Sequence, residues 1–170
     1  MAEIIKAKID DIADIMKLIN DCVNNMRANN IFQWDENYPN EEVMIEDIED
    51  GNLYIMKDEN RYLGIITLNE EQDEEYKTVD WKSKSSDVLI VHRLAVSPLG
   101  QGKGIGKSFM SFAEDLVRQK NYNSIRLDTY SGNPIALSFY KRLGYEKVGE
   151  VYFPGRELSF YCYEKIFGSN

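Results

Sequence analysis

The sequence is poor in the residues on which metal and redox chemistry depend. It has one histidine, His92, and two cysteines, Cys22 and Cys162, in 170 residues. The cysteines lie far apart and form no C-x-x-C, so neither a disulfide framework nor a zinc site is expected, and no metal is assigned. Positive charge is also in deficit: 20 basic against 29 acidic side chains give a formal net charge of −9. That balance repels polyanions, which excludes nucleic acid and anionic membrane surfaces as expected partners. It would favour a cationic partner, although an ordinary solvated surface is the commoner reason for such a balance. Long apolar runs are missing. The N-terminal stretch "MAEIIKAKIDDIADIMKLIND" is interrupted by charge every few residues, which leaves no signal-peptide core or membrane span. The cytoplasm is the expected compartment. Neither an internal repeat nor a Pro/Gly/Ser-rich linker divides the chain, so residues 1–170 are read as one domain.

What is present is an alternation of strand and helix patterns. "EIIKAK" is a short strand candidate. Asp10 and Asp11 then open a helix, where acidic groups suit the positive end of the helix dipole. Ile12, Ile15, Met16, Ile19, Cys22, Val23 and Met26 repeat at helical spacing and define its buried face. A second helix is expected from Glu41 to Asp50, with Gly51 as its stop. "NLYIMKD" and "RYLGIITLNE" flank a turn at Asp58–Asn60 and read as a hairpin. "VLIVHRLAVS" is an almost unbroken β-branched run, as expected of a strand covered on both faces. A helix carrying Ile105, Phe109, Phe112, Ala113 and Leu116 follows, then the strand "SIRLDTY". Asn133-Pro134 marks the start of another helix, a cap followed by proline in the first turn, and Gly144 ends it. "YEKVGEVYF" and "LSFYCYEKIF" complete the strands. The strand–helix–strand crossover requires a parallel pair, and the hairpins require antiparallel ones. The expected fold class is therefore α/β of the α+β kind: a mixed, largely antiparallel sheet of about seven strands between helical layers.

Between the long strand and its helix lies "QGKGIGKS", residues 101–108. It misses the phosphate-binding pattern G-x-x-x-x-G-K-[ST] by one position, since Gln101 stands where the first glycine belongs. An ATP reading would use Lys107 for phosphates, Ser108 for Mg²⁺ and Asp128 as a metal carboxylate. The missing glycine, Pro98 between strand and loop, and the commonness of strands ending in Asp all weaken it. The dinucleotide pattern G-x-G-x-x-G fails, because Phe109 occupies the third glycine position. The pattern that remains is Gln101-x-x-Gly104-x-Gly106 after a strand and opening a helix. Here the segment "HRLAVSPLGQGKGIGKSFMSFAEDL" resembles the GNAT superfamily of acyl-CoA-dependent N-acyltransferases. A second block, "NPIALSFYKRLGYEKVG", is similar to the same family, in the same order and spacing, and the likeness covers roughly residues 3–166.

The resemblance implies a three-layer α/β/α GNAT fold and acetyl-CoA as co-substrate. It implies transfer of an acetyl group directly to a primary amine of a small molecule or peptide; the alternative is a non-catalytic acyl-CoA sensor on the same fold. By this resemblance the backbone of Leu94, Ala95 and Val96 binds the pantetheine. Gln101, Gly102, Lys103, Gly104, Ile105, Gly106, Lys107 and Ser108 cradle the pyrophosphate, with amides and a helix dipole that suit an anion. Asn133 contacts the pantetheine or caps its own helix. Tyr140 matches the tyrosine that protonates the leaving thiolate. His92 is a candidate base, placed by strand alternation on the face of Leu94 and Val96, or else a satisfied structural residue. Phe32, Trp34 and Tyr38 are candidate walls of the acceptor site, or aromatics pinning a loop. The acidic run "EEQDEEY" is read as solvated surface, and no catalysis is assigned to it. The span from about residue 69 to 87 is long for a hairpin connection, and Trp81 within it marks a part that packs. Family analogy favours a homodimer.

Overall fold

The structure is a computed structural model and describes residues 2–168. Seven strands form a mixed sheet in the order β1-β2-β3-β4-β5-β7-β6. The strands are β1 (Glu3–Lys6), β2 (Leu53–Asp58), β3 (Arg61–Asn69), β4 (Val88–Val96), β5 (Ser124–Tyr130), β6 (Glu146–Val151) and β7 (Phe160–Ile166). The helices are α1 (Ile12–Ala28), α2 (Glu41–Glu49), α3 (Ile105–Lys120) and α4 (Pro134–Arg142). β1–β2, β2–β3, β5–β7 and β6–β7 are antiparallel, and β4–β5 is the parallel pair that the crossover through α3 demands.

The chain falls into two compact units, Met1–Leu68 with His92–Ala113 and Asn69–Val91 with Glu114–Asn170. In the first, alternate residues of the strands face opposite helical layers. Leu53, Ile55, Ile65 and Ala95 join Ile15, Leu18, Ile19, Cys22 and Val23 of α1 and Met44 of α2 in one core. Each large aliphatic side chain buried this way contributes about 1.5–3 kcal/mol. On the other face the Tyr54 ring packs at a tilt against Phe112 of α3, with centres 4.9 Å apart. Gly64 lets α3 come close there: a Cβ at that position would stand 2.7 Å from the Phe109 ring and 2.8 Å from the Ala95 carbonyl oxygen. The stops expected of glycine are present, since Gly51 and Gly144 have φ of 72° and 90°.

In the second unit β5, β7 and β6 carry α4 on one face, where Tyr140 meets Tyr163 at 6.1 Å. Lys165 and Tyr145 both reach Glu114 of α3. The other face is crossed by residues 69–87, a strap that includes a 3-10 turn at Glu74–Thr78. The strap is held by an ion pair: the side chains of Arg126 and Glu164 are 7% and 0% exposed and stand 3.3 Å apart. Glu164 also accepts from the Lys82 and Ser83 amides. Arg126 donates to Gln72 Oε1 at 2.8 Å and to the Ser83 carbonyl at 2.7 Å, and lies 4.6 Å from the Trp81 ring centre. Trp81 therefore packs, as its place in the connection leads one to expect.

Candidate functional site

The glycine loop is built as a cradle. After β4, Ser97 caps a short turn at Pro98–Gly100, and the chain makes two left-handed steps, Gly102 and Gly104, each with φ of 78°. L-residues resist this conformation. A Cβ on either glycine would meet nothing within 4 Å, so the backbone there faces open space. α3 begins at Ile105, and Ser108 is the residue whose amide returns to Gly104, at 3.0 Å. The amides of the preceding turn have no helical partner by construction and point out of the helix start. Ser108 also donates its hydroxyl to the Gly104 carbonyl. Lys103 and Lys107 flank the loop, so the donor set fits a pyrophosphate.

β4 leads into this loop with a distortion that the sequence does not announce. Arg93 has φ of 45°, left-handed in mid-strand. It is locked by a bidentate pair with the buried Asp47 of α2, both contacts at 2.7 Å, while Thr67 donates to the same carboxylate. A strained non-glycine residue persists only where its surroundings over-determine it, and this fork does so. Simple alternation does not run through such a residue, so the alternation that relates His92 to Leu94 and Val96 stops at Arg93. His92 itself is half-buried. Ala95 is buried, and Leu94 and Val96 are half-buried. The Val96 carbonyl accepts the Cys22 thiol at 3.3 Å, and the pairing of β4 with β5 covers Val88–Ile90 against Ser124–Arg126.

The three aromatics of the loop between α1 and α2 part company. Trp34, 7% exposed, belongs to the core of the first unit, whereas Phe32 and Tyr38 are exposed. Arg93 donates to the Tyr38 hydroxyl at 3.1 Å. Nearby, Glu36 pairs with Arg27.

In the second unit Asn133 caps α4, its Oδ1 accepting from the Ala136 amide at 3.1 Å, with Pro134 in the first turn. The helix thereby presents Tyr140, which is buried among Phe139, Tyr145 and Tyr163. Burial first, and then the charge of Asp128, push the Tyr140 hydroxyl above its ordinary range. It stays protonated at neutral pH.

In the sequence Asp128 enters only as the metal carboxylate of the ATP reading, and the family resemblance gives it no role. It stands half-buried on β5, and burial raises its carboxyl to about 6. The neighbouring charges of Asp73 and Glu75 push the same way, while the Tyr76 hydroxyl opposes them. Tyr76 donates to Asp128 Oδ2 at 2.5 Å. Tyr76 ends the acidic run read as solvated surface. Its buried ring and the Gln72 contact to Arg126 show that two members of that run dock instead. A cleft of about 270 Å³ lies along the strap, lined by Gln72, Asp73, Tyr76, Trp81 and Arg126 among others; Asp128 is not part of its lining. The sequence shows only an aspartate near the end of a strand, which is common; its removal from water, rare for a charged side chain unless it is paired or used, is what the structure adds.

Among the described residues no group of three or more His, Cys, Asp or Glu side chains could hold a metal ion. No helix among them is long and apolar enough to cross a membrane. Both cysteines are free and buried.

Comparison with known proteins bears on the fold and the family. The model of the acetyltransferase (GNAT) family matches residues 14–145. The chain is similar to the uncharacterised N-acetyltransferase YesJ of Bacillus subtilis (strain 168), 29% identical over 102 residues; the match covers 60% of this chain and 57% of YesJ, little more than half its length. A GNAT-family acetyltransferase structure from Streptococcus agalactiae 2603 has the same fold, with a TM-score of 0.83 at 22% identity over 99% of this chain and 96% of the other. So does the PaiA N-acetyltransferase of Thermoplasma acidophilum, solved in complex with coenzyme A, with a TM-score of 0.72 at 18% identity over 98% and 99% of the two chains. With the family model spanning well over half of its length, the chain belongs to the acetyltransferase (GNAT) family.

Proposed function

We propose that this protein moves an acetyl group from acetyl-CoA directly to a primary amine of a small molecule or peptide. The observation that carries the reading is the glycine loop ahead of α3, whose left-handed Gly102 and Gly104 leave their backbone beside open space at a helix start, in a chain of the acetyltransferase (GNAT) family. Burial keeps Tyr140 protonated on the α4 face of the sheet, and on the strap face burial pushes the Asp128 carboxyl up to about 6, toward the range that suits a base at neutral pH. Asp128 takes the proton from the attacking amine as its nitrogen bonds to the thioester carbon. The carbon–sulfur bond breaks, and Tyr140 gives its proton to the departing sulfur. A thiolate leaves readily because its conjugate acid has a pKa of about 8.5, so the acid has modest work to do. His92 on β4 is the other candidate for the proton-accepting role.

The backbone of Leu94, Ala95 and Val96 holds the pantetheine. The loop from Gln101 to Ser108 holds the pyrophosphate, and the open space beside Gly102 and Gly104 supports that assignment. Asn133 orders the start of the Tyr140 helix. The exposed Phe32 and Tyr38 are the acceptor-side aromatics, with the buried Trp34 anchoring their loop. The surplus of acidic side chains favours a cationic acceptor.

The test is a thiol-release assay with acetyl-CoA against polyamines, amino acids and peptides, run on the wild type, Asp128→Asn and His92→Gln. The reading expects turnover on at least one amine, lost in Asp128→Asn and retained in His92→Gln. Coenzyme binding with no turnover on any amine would instead favour the non-catalytic sensor.

A further inference from the structure

We propose that Tyr76, carried on the strap far from the family's two sequence blocks, is a positioning residue that orients the Asp128 carboxylate and sets its proton affinity. This rests on the reading of Asp128 as the base. The geometry is specific. Tyr76 is 2% exposed, and its hydroxyl meets Asp128 Oδ2 at 2.5 Å across 52 residues of sequence. Burial holds that hydroxyl far above its ordinary range, so it is a permanent donor. Its own place is fixed by the strap, because Trp81 donates its indole N–H to the Tyr76 carbonyl at 2.9 Å and packs against the ring at a tilt of 47°, with centres 5.1 Å apart. Trp81 in turn lies against Arg126, which is tied to Glu164.

The other groups around Asp128 cannot supply this function. Asp73 and Glu75, from the same strap, act on it as like charges. Cys162, its partner across β7, is a thiol, and S–H is only a weak donor. Tyr140, from α4, packs on Tyr163 on the opposite face of the sheet from the strap. Arg126, two residues along β5, is occupied by Glu164, Gln72 and the Ser83 carbonyl. Tyr76 is the donor that stabilises the carboxylate form. One lone pair of Oδ2 is taken by it, which leaves the second oxygen, Oδ1, to accept the proton of the amine. A buried carboxyl among other carboxylates and without that donor would titrate above the range where it serves as a base at neutral pH.

The experiment is a ¹³C-carboxyl NMR titration of Asp128 in the ligand-free wild type and in Tyr76→Phe, paired with the pH profile of kcat/KM for both. Tyr76→Phe should move the Asp128 midpoint upward by about one pH unit, roughly the worth of one hydrogen bond to a charged group. The acid limb of the rate profile should move with it, while KM for acetyl-CoA stays near the wild-type value. Replacing Tyr76 alone by 3-fluorotyrosine, a more acidic donor that keeps the ring in place, should move the midpoint downward. A midpoint unmoved by both changes would overturn the proposal. The two readings fail separately. Full turnover in Asp128→Asn removes the base, whereas an unmoved titration with an inactive Asp128→Asn removes only the role of Tyr76.

Discussion

Replacing Glu164 by glutamine keeps the shape of the side chain and removes the charge that faces Arg126. In the wild type the Glu164 side chain is fully buried, and its two oxygens take the Arg126 Nε–H, the Lys82 amide at 2.7 Å and the Ser83 amide. A glutamine oxygen can keep one or two of these donors, but its NH₂ then faces the others. The guanidinium of Arg126 is left buried against Gln72, the Ser83 carbonyl and the Trp81 face, with no counter-charge beside it. Breaking a buried pair from one side costs about 3–5 kcal/mol. That is a large share of a total stability of about 5–15 kcal/mol. At about 2–4 °C per kcal/mol for a chain of this size, Tm should fall by about 6–20 °C. Urea unfolding followed by circular dichroism reads the loss directly. The double replacement Glu164→Leu with Arg126→Met supplies the control, since an apolar pair of similar volume should recover most of the loss. A single-variant loss below about 1 kcal/mol, the range of exposed ion pairs, would refute the view that this pair anchors the strap.

Gly104→Val places a β-branched residue at a left-handed position, where the added atoms meet only open space. Stability should fall by about 1–3 kcal/mol of backbone strain, while calorimetry should show affinity for coenzyme A reduced at least tenfold; unchanged affinity would contradict the cradle. Tyr140→Phe should lower kcat by about 10–100-fold, the low end for general acids because a thiolate leaves readily, with KM for acetyl-CoA little changed in steady-state kinetics. An unaltered kcat would remove Tyr140 from the chemistry. Asp128 binds its proton more tightly folded, near 6, than its ordinary 3.8. Its contribution to stability is therefore present below pH 4 and is lost as pH rises through 6. Asp128→Asn should accordingly be more stable than the wild type at pH 8, by roughly 1–3 kcal/mol, with the gain vanishing near pH 4. A variant equally or less stable at pH 8 would show that burial does not oppose the charge.

Local chemistry was legible in the sequence wherever a residue acts through its own backbone or a near neighbour. Asn133-Pro134 is a helix start in any context, and the cap is present. The glycines of residues 101–106 mark a tight loop before a helix, and two of them are left-handed. Periodicity located the buried face of α1 but passed over Leu18, which joins the same core. In α3 it picked out Phe112 and Leu116, whereas Met110 and Val117 are the more deeply buried members. A helical stripe is wider than one row of residues, so spacing alone does not settle its edges.

Contacts between distant segments were not legible. Nothing local marks Arg93 for a left-handed backbone; a fork to Asp47, 46 residues away, holds it there. Tyr76 sits in a run that looks like solvated surface, and its role exists only because the strap lays it against Asp128. The order and type of the elements, the caps and the glycine loop follow from short-range sterics and hydrogen bonding, which the sequence by itself determines. The proton affinity of Asp128, the burial of Trp34 and the anchoring of the strap depend on desolvation and on charges brought close by folding. Only the tertiary structure decides these, because a side chain's dielectric surroundings and long-range partners are properties of the packed chain and not of its neighbours in sequence.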